Sequence, residues 1–156
     1  MPPAARPPRV RLLFLCTGNS CRSQMAEGWA RTLIPDRVEP LSAGTHPGTL
    51  NPLAVRVMRE SGVDISGQRS KSIDEFIDHP PDLVVTVCHE AHEACPVFPG
   101  ATRVVHVGFE DPPRLAASAR TEEEALPHYR RVRDEIRLFI LTLGDRLDLT
   151  AHPGGE

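Results

Sequence analysis

Apolar residues fall along the chain in short continuous runs that alternate with stretches of helical period. Val10-Arg-Leu-Leu-Phe-Leu15 is one such run and predicts a buried strand, broken by Cys-Thr-Gly-Asn-Ser. From Arg22 the period changes. Met25, Ala26, Trp29, Ala30, Leu33 and Ile34 recur on one helical face until Pro35 stops it. Val38–Ala43 predicts a second strand, closed by Gly44. Asn51-Pro52 opens a helix with a side-chain cap and a proline in the first turn, and Gly62 ends it. Ser72–Asp78 predicts a short helix. Asp82-Leu-Val-Val-Thr-Val-Cys88 is another strong buried strand, and Arg103–Val107 reads as one more. Thr121-Glu-Glu-Glu124 is a capping box for a last helix whose apolar stripe runs through Tyr129, Val132, Ile136, Phe139, Ile140 and Leu143 to Gly144. Pro127 is expected to kink that helix or to mark its first turn.

This order predicts an α/β fold: a four-stranded parallel sheet flanked by helices on both faces, in three αβα layers. Residues 10–144 form a single catalytic domain, with a flexible leader at 1–9 and a flexible tail at 145–156. Sheets of this kind bind ligands beyond the carboxyl ends of their strands. Cys16, Cys21, Cys88, Cys95 and Asp111 all fall there.

Composition removes alternatives more than it adds any. The 156 residues are 40% hydrophobic and 25% charged, with a net charge of −3, so no nucleic-acid partner is expected. No apolar run is long enough for a membrane span. Met1–Pro8 has four prolines and no apolar stretch, so it does not read as an export signal. A reducing, cytoplasmic setting follows, in which cysteines serve chemistry or metal more than architecture. No large apolar patch can be read from the helices, so a monomer is expected.

The most specific feature is Cys16-Thr-Gly-Asn-Ser-Cys-Arg22-Ser23, set between a strand and a helix. A loop of this length can turn its N–H groups of Thr17, Gly18, Asn19, Ser20, Cys21, Arg22 and Ser23 around a tetrahedral oxyanion, aided by the positive end of the helix. Gly18 is expected to supply a conformation other residues resist, and Asn19 to tolerate a left-handed one. Arg22 offers a planar fork of donors. The same field favours the thiolate of Cys16 as nucleophile, with Ser23 donating a hydrogen bond to it.

The segment from Phe14 to Trp29 resembles the phosphate loop of the low-molecular-weight protein tyrosine phosphatase superfamily, and more closely that of the thioredoxin-coupled arsenate reductases on the same fold. The resemblance continues through Ser42-Ala-Gly44, Asn51-Pro52, Asp64-Ile-Ser66, Asp82–Cys88, Cys95-Pro96, Gly108-Phe-Glu-Asp-Pro112 and Arg131-Val-Arg-Asp-Glu-Ile136. It implies a reaction cycle. Cys16 attacks arsenate and Asp111 protonates the departing oxygen. Cys88 attacks the Cys16 sulfur, releasing arsenite. Cys95 then attacks Cys88, and thioredoxin reduces the Cys88–Cys95 disulfide. Phosphate and sulfate are implied as competing oxyanions, and no cofactor is bound. The alternative is a low-molecular-weight protein tyrosine phosphatase, which needs neither Cys88 nor Cys95 and usually carries tyrosine where Pro113 stands. A non-catalytic oxyanion or redox sensor is the reading from another class; the intact nucleophile, arginine, acid and relay thiols oppose it.

Other residues carry lesser expectations. Zinc over Cys88-His89-x2-His92-x2-Cys95 is disfavoured, because adjacent Cys88 and His89 point apart, so no metal is expected. His89 and His92 read as surface residues, and His106 and Tyr129 as packing or surface. Cys21 packs behind the loop, and Glu110 points away from the site. Several relatives hold potassium beneath the loop with side chains matching Asn19, Glu27 and Ser42 and an aspartate where Lys71 stands. Lys71, the only lysine in the chain, is expected to replace that cation and pair with Glu27, so that potassium is not required. A solvated surface position is the other reading of Lys71.

Overall fold

The computed structural model describes residues 9–93, 95, 98 and 102–147. The predicted leader apart from Arg9, and the end of the predicted tail from 148, lie outside them. Strand β1 (Val10–Cys16) leads through α1 (Arg22–Leu33) to β2 (Val38–Gly44) and α2 (Pro52–Glu60). A single 3₁₀ turn (Ile73–Phe76) precedes β3 (Leu83–Thr86), α3 (His89–Glu93), β4 (Arg103–His106), α4 (Pro112–Leu115) and α5 (Glu122–Leu147). The four strands are all parallel, in the order β2-β1-β3-β4. The chain therefore leaves β1 toward one side and returns on the other, which opens a crevice at the carboxyl end of β1.

Successive strand residues face opposite sides of a sheet. Leu12, Leu13, Phe14 and Leu15 are all fully buried, so both faces of β1 are covered. Helix α1 packs against β1, β2 and α5, α2 against α1 and α5, and α3 against β1 and β3. The Trp29 indole N–H donates to the Arg133 carbonyl at 3.1 Å, tying α1 to α5. Asn51 caps α2 as its sequence predicts, accepting from Leu53 N at 2.8 Å and Ala54 N at 3.3 Å.

Four expectations need correction. Arg103–Val107 is not a buried strand: β4 is the sheet edge, and Val104 is 44% exposed. Two adjacent valines look like core, but an edge strand has a neighbour on one side only. Helix α5 begins at Glu122 and carries Pro127 within it, so Pro127 does not mark its first turn. It also continues to Leu147, past the Gly144 expected to end it. The Thr121 hydroxyl does accept from Glu124 N, but the Glu124 carboxylate reaches Arg120 N, one residue earlier than a standard capping box. Among the described residues no helix is long and apolar enough to cross a membrane.

Candidate active site

The loop after β1 is shaped from outside. The carbonyls of Cys16, Thr17, Gly18 and Ser20 accept from the N–H groups of Thr45, His46, Gly48 and Asn51 at 3.1, 2.8, 2.8 and 2.9 Å. In a trans peptide the following N–H points opposite to the carbonyl. Fastening these four carbonyls outward therefore turns the N–H groups of Thr17, Gly18, Asn19 and Cys21 into the loop. One of them can be followed to its acceptor: Asn19 N donates to Cys16 Sγ at 3.2 Å.

Asn19 is the only non-glycine residue with positive φ among those described, at 47°. Its Oδ1 accepts from Lys71 N at 2.8 Å, and its Nδ2 donates to Ser23 Oγ at 2.8 Å. Ser23 Oγ lies 2.9 Å from Cys16 Sγ. Ser23 accepts from Asn19, which leaves its own proton available to the sulfur. Cys16 Sγ thus has one backbone donor, Asn19 N, and a hydroxyl that can supply a second, a setting suited to a thiolate. Gly18 does not take the special conformation expected of it. Its φ is not positive, and a side chain there would meet Ser20 Oγ at 3.4 Å, an ordinary contact. The left-handed turn falls on Asn19, whose side chain can compensate for it.

Arg22 and Asp111 meet above the loop. Arg22 Nη1 donates to the Phe109 carbonyl at 2.8 Å, and Nη2 lies 3.5 Å from Asp111 Oδ1. Asp111 is the residue before α4, yet its carboxylate makes no capping bond. An ordinary Asp-Pro turn would spend the carboxylate on the backbone; here it faces the arginine. Glu110 turns away as expected, to Arg131 at 2.9 Å. Arg22, Cys88, His106, Phe109, Asp111 and Arg114 line one open cleft of about 940 Å³.

Cys88 follows β3 and is buried, with its Sγ 3.4 Å from Thr17 Oγ1. A second thiol therefore touches the residue next to the nucleophile. Cys95 is half-buried, and burial pushes its thiol above the ordinary range. Cys21 is buried behind the loop. Burial, and then the charges of Asp111 and Cys16, push its thiol far upward, so it is a poor nucleophile. Among the described residues no three His, Cys, Asp or Glu side chains converge as a metal ion would need. His89 is exposed and lies 3.4 Å from Glu93.

Beneath the loop, Glu27 accepts from Ser42 Oγ at 2.5 Å and from Arg31 at 2.5 Å. Lys71 Nζ lies 3.8 Å from Glu27 Oε1 and donates to the Arg69 carbonyl at 2.9 Å. Its side chain is only 13% exposed, which removes the surface reading. Burial lowers its pKa and Glu27 opposes that shift.

Several supporting residues carry no role in the sequence reading. Gln24 is fully buried and bridges the carbonyls of Asn19 and Arg69, each at 2.9 Å. Ser70 Oγ lies 2.8 Å from the carbonyls of both Gly18 and Asn19. Gly44 packs so closely that a Cβ would fall 2.6 Å from the Thr17 carbonyl. Tyr129 does more than fill space: its hydroxyl accepts from Asn51 Nδ2 at 3.1 Å, and Asn51 N is bonded to Ser20. Gln24 left no clear signal either, since it follows the polar Arg22 and Ser23 at the start of α1.

An enzyme that attacks tetrahedral oxyanions through a cysteine is the class this fold and loop define. The chain belongs to the low molecular weight phosphotyrosine protein phosphatase family, whose pattern matches residues 11–140. It is 48% identical over 143 residues to an arsenate reductase of Bacillus licheniformis, covering 92% of this chain and 96% of that one. It is similar in structure to an arsenate reductase in its phosphate-binding state, with TM-score 0.67, 30% identity, and 88% and 98% of the two chains covered. It is also similar to a low molecular weight protein tyrosine phosphatase of T. tengcongensis, with TM-score 0.69, 28% identity, and 88% and 99% covered.

Proposed function

We propose that this protein reduces arsenate to arsenite through Cys16, Cys88 and Cys95, with a thioredoxin-type protein as the external reductant in the cytoplasm. The observation that carries the reading is Cys88 Sγ at 3.4 Å from Thr17 Oγ1. Hydrolysis of a phosphate ester needs no second thiol against the nucleophile loop, whereas a reductase that draws both electrons from its own thiols does.

The electrons balance over three exchanges. The Cys16 thiolate attacks arsenic and an oxygen departs as water, taking the proton held by Asp111. Inward N–H groups and Arg22 carry the charge that develops on the remaining oxygens. Cys88 thiolate then attacks Cys16 Sγ. The sulfur–arsenic bond breaks, and its electron pair stays on arsenic, which leaves as arsenite. Two thiols have been oxidised to the Cys16–Cys88 disulfide and arsenic reduced by two electrons. Cys95 thiolate attacks Cys88 Sγ, and Cys16 leaves as a thiolate ready for the next oxyanion. Burial raises the Cys95 thiol above its ordinary range, so the attacking thiolate is favoured where the sulfur becomes less buried. Phosphate and sulfate compete for the same donors, since the loop recognises shape and charge shared by all three oxyanions.

In an assay coupled to thioredoxin and thioredoxin reductase, arsenate is expected to drive continuous NADPH oxidation. Hydrolysis of p-nitrophenyl phosphate without arsenate-dependent NADPH oxidation would make the protein a phosphatase with two structural cysteines.

Lys71 supplies the positive charge beneath the loop in this reading, and its backbone N–H holds Asn19. Exchanging sodium for potassium at constant ionic strength is expected to leave the rate unchanged. A several-fold rise in potassium would show that a free cation still acts there.

A further inference from the structure

Three imidazoles gather beside the second thiol, and the cycle above uses none of them. His92, on α3, faces His106, on β4, with ring centroids 4.6 Å apart and planes tilted by 32°. The Thr86 hydroxyl, fully buried on β3, lies 2.8 Å from His106 Nδ1 and 3.4 Å from His92 Nδ1. His89 approaches His106 edge-on at 6.5 Å. Apart from this cluster, α3 is a short helix of five residues that carries one buried side chain, Ala91. Its hold on the edge strand is therefore thin, and the two stacked rings make it.

We propose that His92 and His106, joined through Thr86, are positioning residues that latch α3 over the sheet and release it when both are protonated, freeing Cys95 to reach Cys88. The argument is one of proton counting. A hydroxyl has one proton to give. Between two neutral imidazoles it donates to one Nδ1 and accepts from the other, and every partner is satisfied. One added proton is tolerated, because a hydroxyl oxygen can accept from an imidazolium. With both rings charged, neither Nδ1 can accept, so the buried Thr86 proton loses its partner while two like charges face each other across 4.6 Å. Histidine is the side chain whose ordinary charge change falls between about pH 5 and 8. Both rings are exposed enough to exchange protons with solvent.

The other charged groups around the pair do not cancel this. On α3, Glu93 is taken up by His89 at 3.4 Å, and Glu90 lines the cleft. Arg114 of α4 lines the same cleft and adds positive charge, as does Arg103 on β4. Cys88 precedes α3, and its carbonyl accepts from His92 N at 3.1 Å. That amide reports directly on the closed helix.

The proposal rests on the three-thiol reading for its consequence, but not for its first test. Hydrogen exchange of the α3 amides is followed in the reduced, oxyanion-free protein at about pH 8 and about pH 5.5, corrected for intrinsic rates. Wild type is expected to lose protection several-fold at the lower pH. His92→Phe keeps a stacked ring without a proton site, and His106→Gln keeps a hydrogen bond to Thr86; each is expected to remove the pH dependence. Exchange that is pH-independent in wild type, or equally pH-dependent in both variants, overturns the latch. The second arm adds one equivalent of arsenate at fixed pH and maps disulfides over time. His92→Ala is expected to form Cys88–Cys95 faster than wild type. An unchanged or slower rate overturns the gating role. If wild type shows pH-dependent exchange but never forms Cys88–Cys95, the three-thiol reading fails, and with it the proposed release of Cys95.

Discussion

Cys95→Ser protein is expected to release one equivalent of arsenite per chain and then stop. The variant retains Cys16, Cys88, Arg22 and Asp111, so the oxyanion is bound, attacked and reduced as before. What is lost is the exit for the oxidised pair. The first disulfide lies at a buried position, since Cys16 is 4% and Cys88 3% exposed, and a protein reductant must touch the sulfur it attacks. In the proposed cycle the third thiol, already partly exposed, carries the oxidation outward. Quantifying arsenite against protein in a single mixing experiment, with thioredoxin, its reductase and NADPH in excess, checks this. Cys88→Ser is expected to release no arsenite, and Cys16→Ser to lose p-nitrophenyl phosphate hydrolysis as well. Continued turnover of Cys95→Ser at the wild-type rate would mean that the reductant attacks the Cys16–Cys88 bond directly, and the third thiol would have no part in the cycle.

Much of this was readable from the chain because the site is local. Eight consecutive residues, Cys16 to Ser23, carry the nucleophile, the inward N–H groups, the arginine and the serine that serves the sulfur, and a strand and a helix of clear period flank them. The elements themselves were legible for the same reason: Leu12 to Leu15 are apolar without interruption because both sheet faces are covered, and Asn51-Pro52 caps a helix by chemistry that needs no tertiary partner. What escaped is non-local. The left-handed turn at Asn19 was legible, since asparagine tolerates it. That Gly18 takes no such conformation was not, because the contacts of Lys71 N and Ser23 with the Asn19 side chain lie outside that pair of residues. Val104-Val105 has the composition of a core strand, and only the strand order makes it an edge. Likewise the segment from Thr45 to Gly48 has no motif, because it acts through backbone N–H groups that any residue but proline provides.

Gly44 brings these threads together and gives a test of how the loop is held. It ends β2 opposite Cys16, and its own N–H is bonded to the Lys71 carbonyl at 2.7 Å. A Cβ would sit 2.6 Å from the Thr17 carbonyl and 3.0 Å from Asn19 N. Both neighbours are backbone, so neither can swing aside as a side chain would. Gly44→Ala must push the loop at the peptides whose N–H groups face the oxyanion. Overpacking of this kind costs about 1–3 kcal/mol of stability, but the larger effect is on chemistry. A displacement near 1 Å is enough for roughly a 100-fold loss, and kcat/KM for arsenate and for p-nitrophenyl phosphate should fall together, since both use the same donors. Gly62→Ala is the control. It has a positive φ of 82° with open space around it, so it costs about 1–2 kcal/mol of backbone strain and leaves kcat/KM unchanged. If Gly44→Ala loses stability no more than Gly62→Ala and keeps its activity within about twofold, the close approach of β2 does not shape the loop. The outward fastening of its carbonyls would then be sufficient by itself.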